Sequence, residues 1–325
     1  MPGFTTHYIM GMKAYNDMPS NTLKHIISKY RWLYQLGLQG PDMFFYNIPI
    51  LRHRDYRNVG SYMHEHKVNA FFECCLRRIG TIRSRQQQEE AISYLAGFIN
   101  HYIADSICHP YVYGRIGYPV DAPTSMHHGM HAHLENELDA ILLWKYKKKK
   151  PSEFNQTATI CLNGQEIQFI SHFLASCINE TYYPITYRNN FQVTPAMVHR
   201  SIWALRFGCR TLSDKNGKKK FGIAQVESIF VNHPVASAKM VTDSVTDYRS
   251  SCNLNHEAWG NPWDPTRVST ASFVDLFHET LDKCSRVYAL LNSAVTDNVP
   301  LDKQDLSPLL AELGNESYHS GLPVD

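Results

Sequence analysis

The chain has 325 residues, 43% of them hydrophobic and 19% charged, enough apolar material for one large domain or two modest ones. Thirty-two Lys and Arg against 30 Asp and Glu leave a formal charge of +2, which excludes a generally basic nucleic-acid binder and an acidic disordered tail. Histidine is the anomaly: there are 17, and eleven lie between His7 and His133.

The opening MPGFTTHYIMG lacks the basic and apolar regions of a signal peptide, and no run approaches the ~18 apolar residues of a transmembrane segment. The eight cysteines form no CxxC pair and read as reduced thiols. A cytoplasmic protein is expected. Gly40-Pro41 and Pro49 break the chain after Leu38. Val68, Phe71, Phe72, Cys75, Leu76 and Ile79 recur at helical spacing and form one apolar face. From Glu89 to about Cys108 the chain is apolar nearly all round, as in a central buried helix, with Asn100, His101 and Asp105 carried inward.

Met130–Lys147 reads as a third helix, closed by the run Lys147–Lys150 and Pro151. That run reads as a solvated helix end complementing the dipole; attraction to an anionic surface, and so a peripheral membrane contact, is the alternative. Asn163-Gly164 suggests a small β-hairpin over residues 158–168. Further helices are expected around 168–180, 195–212, 268–292 and 305–313. The expectation is an all-α, multi-helix bundle, with residues 1–150 as its core and 151–325 packed on it as one domain.

The candidate chemistry lies in the first 140 residues. His101 and Asp105 stand four apart on a helix and therefore on one face, within reach of a single metal ion. An unpaired buried carboxylate would be costly, so a partner is expected. His109 is one turn further, at the expected helix end because Pro110 disfavours helical geometry before it. His64, four before Val68, points inward, and His66 outward to solvent. HHGMHAHLENELD (127–139) holds two His-x-x-x-Glu pairs, His131/Glu135 and His133/Glu137, which helical geometry leaves open. His127 and His128 precede the helix. Asp42 sits among Phe44, Phe45 and Tyr46, and His7 in TTHYIMG; alone, each reads as a turn former or an exposed terminal residue. Nitrogen and oxygen donors without thiolates suit a catalytic metal cluster better than a structural zinc site. An HD-type phosphohydrolase is excluded, because no His-Asp dipeptide occurs.

In this order, THYIMG, GLQGPDMFFY, YMHEHK, INHYIADSICHPY and MHAHLENELD resemble the zinc-dependent phospholipase C / P1 nuclease family over residues 4–145. The resemblance implies an all-α fold with the metal site between helices. It implies Asp42, His64, His101 and Asp105 as ligands of one Zn2+, His109, His131 and Glu135 as ligands of a second, and His7 with bridging Asp105 for a third. It also selects His131/Glu135 over His133/Glu137. Secreted members complete the third site with an N-terminal Trp; this chain begins Met1-Pro2-Gly3, so two or three ions are expected.

The activity implied is hydrolysis of a phosphodiester, such as a phospholipid, by metal-activated water, with Asp42 orienting or deprotonating that water. Phe44, Phe45, Tyr46 and Tyr56 read as packing residues, or alternatively as walls for a choline-like headgroup. A P1-like nuclease acting on single strands is the alternative, disfavoured by the balanced charge, and no stable nucleic-acid partner is expected. A non-catalytic metal-binding or interaction protein is a third reading. Beyond residue 150, Trp259 and Trp263 read as a packing cluster or a lid. His172, His199, His233, His256, His278 and His319 lack ligand-like spacing and read as structural.

Overall fold

The computed structural model describes residues 3–46, 59–183, 192–214, 217–230 and 237–325. Pro49, His53, Tyr56 and His233 lie outside the described residues. The architecture is all-α: α1 (Phe4–Asp17), α2 (Thr22–Lys29), α3 (Arg31–Gly37), a 3-10 segment Gly40–Tyr46, α4 (Val59–Glu65), α5 (Val68–Thr81), α6 (Arg85–Arg115), α7 (Ser125–Lys147), α8 (Gly164–Tyr182), α9 (Pro195–Leu212), α10 (Lys218–Phe230), α11 (Phe273–Thr296) and α12 (Ser307–Leu313). Among the described residues the one sheet is an antiparallel pair, β1 (Trp259–Asn261) with β2 (Asp264–Ser269).

The buried face of α5 consists of Val68, Phe71, Phe72, Cys75, Leu76 and Ile79, the set its periodicity defines. Burying each of the larger side chains is worth on the order of 2 kcal/mol. α6 is the spine: α1, α2, α3, α11 and β1 all pack on it, which is why its sequence is apolar nearly all round. One apolar core gathers along α6 up to Ile103 and a second from Ala104 onward, so the stripe His101, Asp105, His109 spans the change between them. α11 is tied to α6 by the Tyr288 hydroxyl, which donates to the Ala96 carbonyl at 2.9 Å.

Three expectations are corrected. No hairpin forms over 158–168: Gln156–Thr159 is a 3-10 turn and Asn163 caps α8. Glu166 N donates to Asn163 Oδ1 at 2.9 Å while Asn163 N donates to a Glu166 carboxylate oxygen at 2.8 Å, so Asn-Gly-x-Glu is a capping box rather than a turn. α6 does not stop at His109; it runs through Pro110 to Arg115, because burial on several sides outweighs the local preference before proline. α7 begins at Ser125, placing His127 and His128 inside the helix, with His127 Nδ1 accepting from Thr124 N at 3.2 Å.

Candidate metal centre

Four helices and one turn deliver the eight candidate donors. His7 is on α1, Asp42 in the 3-10 segment, His64 on α4, His101, Asp105 and His109 on α6, and His131 and Glu135 on α7. Asp42, His64, His101 and Asp105 form one buried group whose donor atoms all lie within 4.8 Å of one another, and His109, His131 and Glu135 form a second. In the first, His64 Nε2 is 3.2 Å from Asp42 Oδ1 and His101 Nε2 is 3.2 Å from Asp105 Oδ2. In the second, His131 Nε2 is 2.5 Å and His109 Nε2 is 3.6 Å from Glu135 Oε1. Asp105 Oδ1 also faces His7 Nε2 at 3.1 Å, and the His7 ring stacks on His101 with centroids 4.0 Å apart.

Backbone contacts aim these side chains. His101 Nδ1 donates to the Leu38 carbonyl at 3.1 Å, His64 Nδ1 to the Gly60 carbonyl at 2.6 Å, and His109 Nδ1 to the Tyr318 carbonyl at 2.6 Å. Each bond places the proton on Nδ1 and leaves the Nε2 lone pair for the centre, the arrangement of metal-ligating histidines. Gly40, with φ of +46°, brings the 3-10 segment so close that a Cβ there would lie 2.2 Å from the His101 ring. α1 has no capping side chain of its own, since Gly3 is its N-cap. Asp139 of α7 takes that role, accepting from Thr5 N at 3.0 Å and Thr6 N at 2.7 Å, and so fixes the turn that carries His7.

The donors suit a cation. His64 Nε2, His101 Nε2, His109 Nε2, Asp42 Oδ1 and both Asp105 oxygens are buried without a hydrogen-bond partner among the described residues, a costly arrangement unless a positive charge binds them. Burial pushes His7 and His131 down to about 4, so both are neutral at pH 7. Burial would raise the Asp105 carboxyl, but His109, His101 and His7 outweigh it and hold that carboxyl well below the usual range. Burial likewise opposes and His131 restores the charge of Glu135, whose carboxyl is also lowered. Burial raises Asp139 to about 6, against the amide donors of Thr5 and Thr6.

His133 is 48% exposed, and Glu137 is taken up by Thr246 N at 2.6 Å and by the Ser251 hydroxyl, so this pair faces away from the donor groups. His66 lies at the surface, 3.2 Å from Asp325 Oδ1. Phe44 is buried in the core, Tyr46 packs against Gly208, and the Phe45 ring is 5.4 Å from that of His64. Trp259 packs on Tyr111, whereas Trp263 stands 4.9 Å from the Tyr113 ring, which is itself 4.6 Å from His131. His319, read from sequence as structural, stacks on His64 with centroids 4.9 Å apart and lies 5.7 Å from His109. Burial, then the neighbouring His64 and His109, hold it well below the usual histidine range. Neither His319 nor Asp139 carries a spacing signal; tertiary packing sets both positions.

Fold and site together define an all-α protein with two adjoining buried groups of nitrogen and oxygen donors. The family model for zinc-dependent phospholipase C matches residues 6–186, more than half of the chain, and the chain belongs to that family. Comparison with curated proteins and with solved structures gave no match. Among the described residues no helix is long and apolar enough to cross a membrane.

Proposed function

We propose that this protein is a metal-dependent phosphodiester hydrolase of the phospholipase C type, acting on a phospholipid or a related phosphodiester. One observation carries the reading: two donor groups adjoin along α6, and the inward Nε2 atoms of His64, His101 and His109 have no hydrogen-bond partner among the described residues. Asp42, His64, His101 and Asp105 would hold one Zn2+, His109, His131 and Glu135 a second, and His7 with the other Asp105 oxygen a third. Bound there, the ions would supply Lewis-acid activation of water and neutralise phosphoryl oxygens.

The protein's own groups do the rest. Asp42, buried with the first group, orients the attacking water and accepts its proton. The bonds from Nδ1 to the carbonyls of Gly60, Leu38 and Tyr318 lock three imidazoles so that none must reorganise during the reaction. We read residues 1–150 as the metal-binding core and 151–325 as packed on it in one domain.

The test is to purify the protein, count bound zinc, and compare hydrolysis of a chromogenic phosphocholine ester, a bis-aryl phosphodiester and single-stranded DNA. Zinc at two or three per chain with turnover of the esters is expected. Turnover confined to DNA would replace this reading with a nuclease, and metal without turnover on any of the three would replace it with a non-catalytic metal protein. Substoichiometric zinc that added zinc does not restore would remove the site itself.

A further inference from the structure

The C-terminal segment, beyond the span that the family model matches, reaches the centre. Tyr318 N donates to the His64 carbonyl at 3.0 Å and Tyr318 O accepts from His109 Nδ1, so one residue is bonded to a histidine from each donor group. The flanking backbone is pinned: His319 N donates to Ser317 Oγ at 3.1 Å, and Asn261 Nδ2 to the Ser320 carbonyl at 2.8 Å. The side chain between these anchors is half-buried His319. Its ring lies 4.9 Å from that of His64 and 5.7 Å from that of His109, one from each donor group, yet it belongs to neither set of converging atoms. Its Nδ1 is 3.3 Å from the Tyr113 hydroxyl. With that phenol donating, the ring proton sits on Nε2, which has no protein partner among the described residues and is free to donate.

We infer that His319 is a substrate-contacting residue, donating a hydrogen bond from Nε2 to a phosphoryl oxygen of a ligand lying across the two donor groups, with Tyr113 holding its ring. This rests on the reading of the site as a phosphodiester centre. A fixed donor at a phosphoryl oxygen needs no reorganisation when negative charge grows there.

The experiment uses the full-length zinc-loaded protein and inorganic phosphate as the probe, with binding followed by calorimetry, zinc counted, and bis-aryl phosphodiester turnover measured in parallel. His319→Ala is expected to weaken phosphate binding and lower kcat/KM by about tenfold or more each, with bound zinc unchanged. His319→Gln, which keeps an N–H donor, is expected to recover part of both. Tyr113→Phe leaves the ring in place and is expected to weaken phosphate binding about threefold. Phosphate affinity within twofold of wild type in His319→Ala would overturn the inference while leaving the hydrolase reading intact. Loss of a zinc ion in that variant would overturn it in another way, by making His319 a ligand. Phosphate binding sensitive to His319 in a protein without turnover on any ester would keep the contact and remove the hydrolase reading.

Discussion

The helical segment from α1 to α7 and the C-terminal stretch after α12 meet at the same centre by different means. The first sends in carboxylates and imidazoles, spaced four apart on α6 and α7, so that one helical face presents successive donors. The second sends in mostly backbone: the Tyr318 carbonyl and amide, a turn closed by Gly321 N donating to Ser317 O at 3.0 Å, and two side chains, His319 and the buried Tyr318 ring, 4.8 Å from that of His64. Side-chain donors decide whether a cation can bind. Backbone contacts decide how the donors are aimed, and no periodicity announces them. Substitutions in the two regions should therefore fail differently, the first by losing metal and the second by loosening geometry.

The largest effect is expected at Asp105, which His7, His64, His101 and His109 approach to between 3.1 and 3.7 Å. Asp105→Asn removes the one negative charge that these rings share. It should lose at least one zinc and lower kcat/KM at least ~10³-fold, read by metal analysis and ester hydrolysis. Full zinc content in that variant would break the division between the two regions.

Acidification of the chelated protein comes next. His7 and His131, at about 4, refuse protons that the unfolded chain binds below its ordinary 6.5. The unfolded state thus holds more protons between pH 6.5 and 4, and stability falls as pH drops through that window. His319 acts in the same direction. His101, raised by Asp105 and Asp42 against burial, and Asp139, raised to about 6 by burial, act in the opposite one. The expected net loss between pH 7 and 4.5 is on the order of 3 kcal/mol, measured by urea unfolding at both values. A rise in stability over that interval would mean that the buried histidines do not set it.

A smaller contrast separates neighbours on α7. His131→Ala should lose metal from the second group and lower kcat/KM about 10²-fold, whereas His133→Ala, at a half-exposed position, should keep both within twofold. The reverse result would assign the wrong face of α7 to the centre.

How far these regions were legible follows from the same contrast. The face of α5 and the stripe His101, Asp105, His109 could be read because period alone defines them. Counting back from Val68 points His64 inward, but the two lie on separate helices, broken at Lys67 with φ of +47°, so that direction rests on a register that does not exist. The structure brings His131 and Glu135 beside His109, a choice the helical wheel left open. Thr246 and Ser251, more than a hundred residues away, engage Glu137 and turn the other pair outward. The hairpin expected at Asn163 failed because Glu166 completes a capping box three residues on, a signal that was present in the sequence. His319 and Asp139 were not legible, since nothing local distinguishes them from surface or core residues of the same type.

The smallest expected effect tests whether the C-terminal turn matters to the donor groups as geometry alone. Pro110 has no N–H, so the Ser106 carbonyl four residues earlier loses its helical donor. Gly321, with φ of +61°, lies so close to that carbonyl that a Cβ would come within 2.5 Å of it. Gly321→Ala must shift this turn, and with it the Tyr318 carbonyl that fixes His109. A cost of about 1–2 kcal/mol in stability is expected from the left-handed backbone and the crowding together. Zinc affinity should fall more at the group containing His109 than at the group containing His64 and His101, whose rings bond carbonyls of the helical segment through Nδ1 while Tyr318 holds only the His64 backbone. Competition with a chelator of known affinity reads the two groups separately. Equal weakening of both would mean that the C-terminal turn stabilises the fold as a whole, and unchanged affinity at both would mean that the carbonyl of Tyr318 does not aim His109.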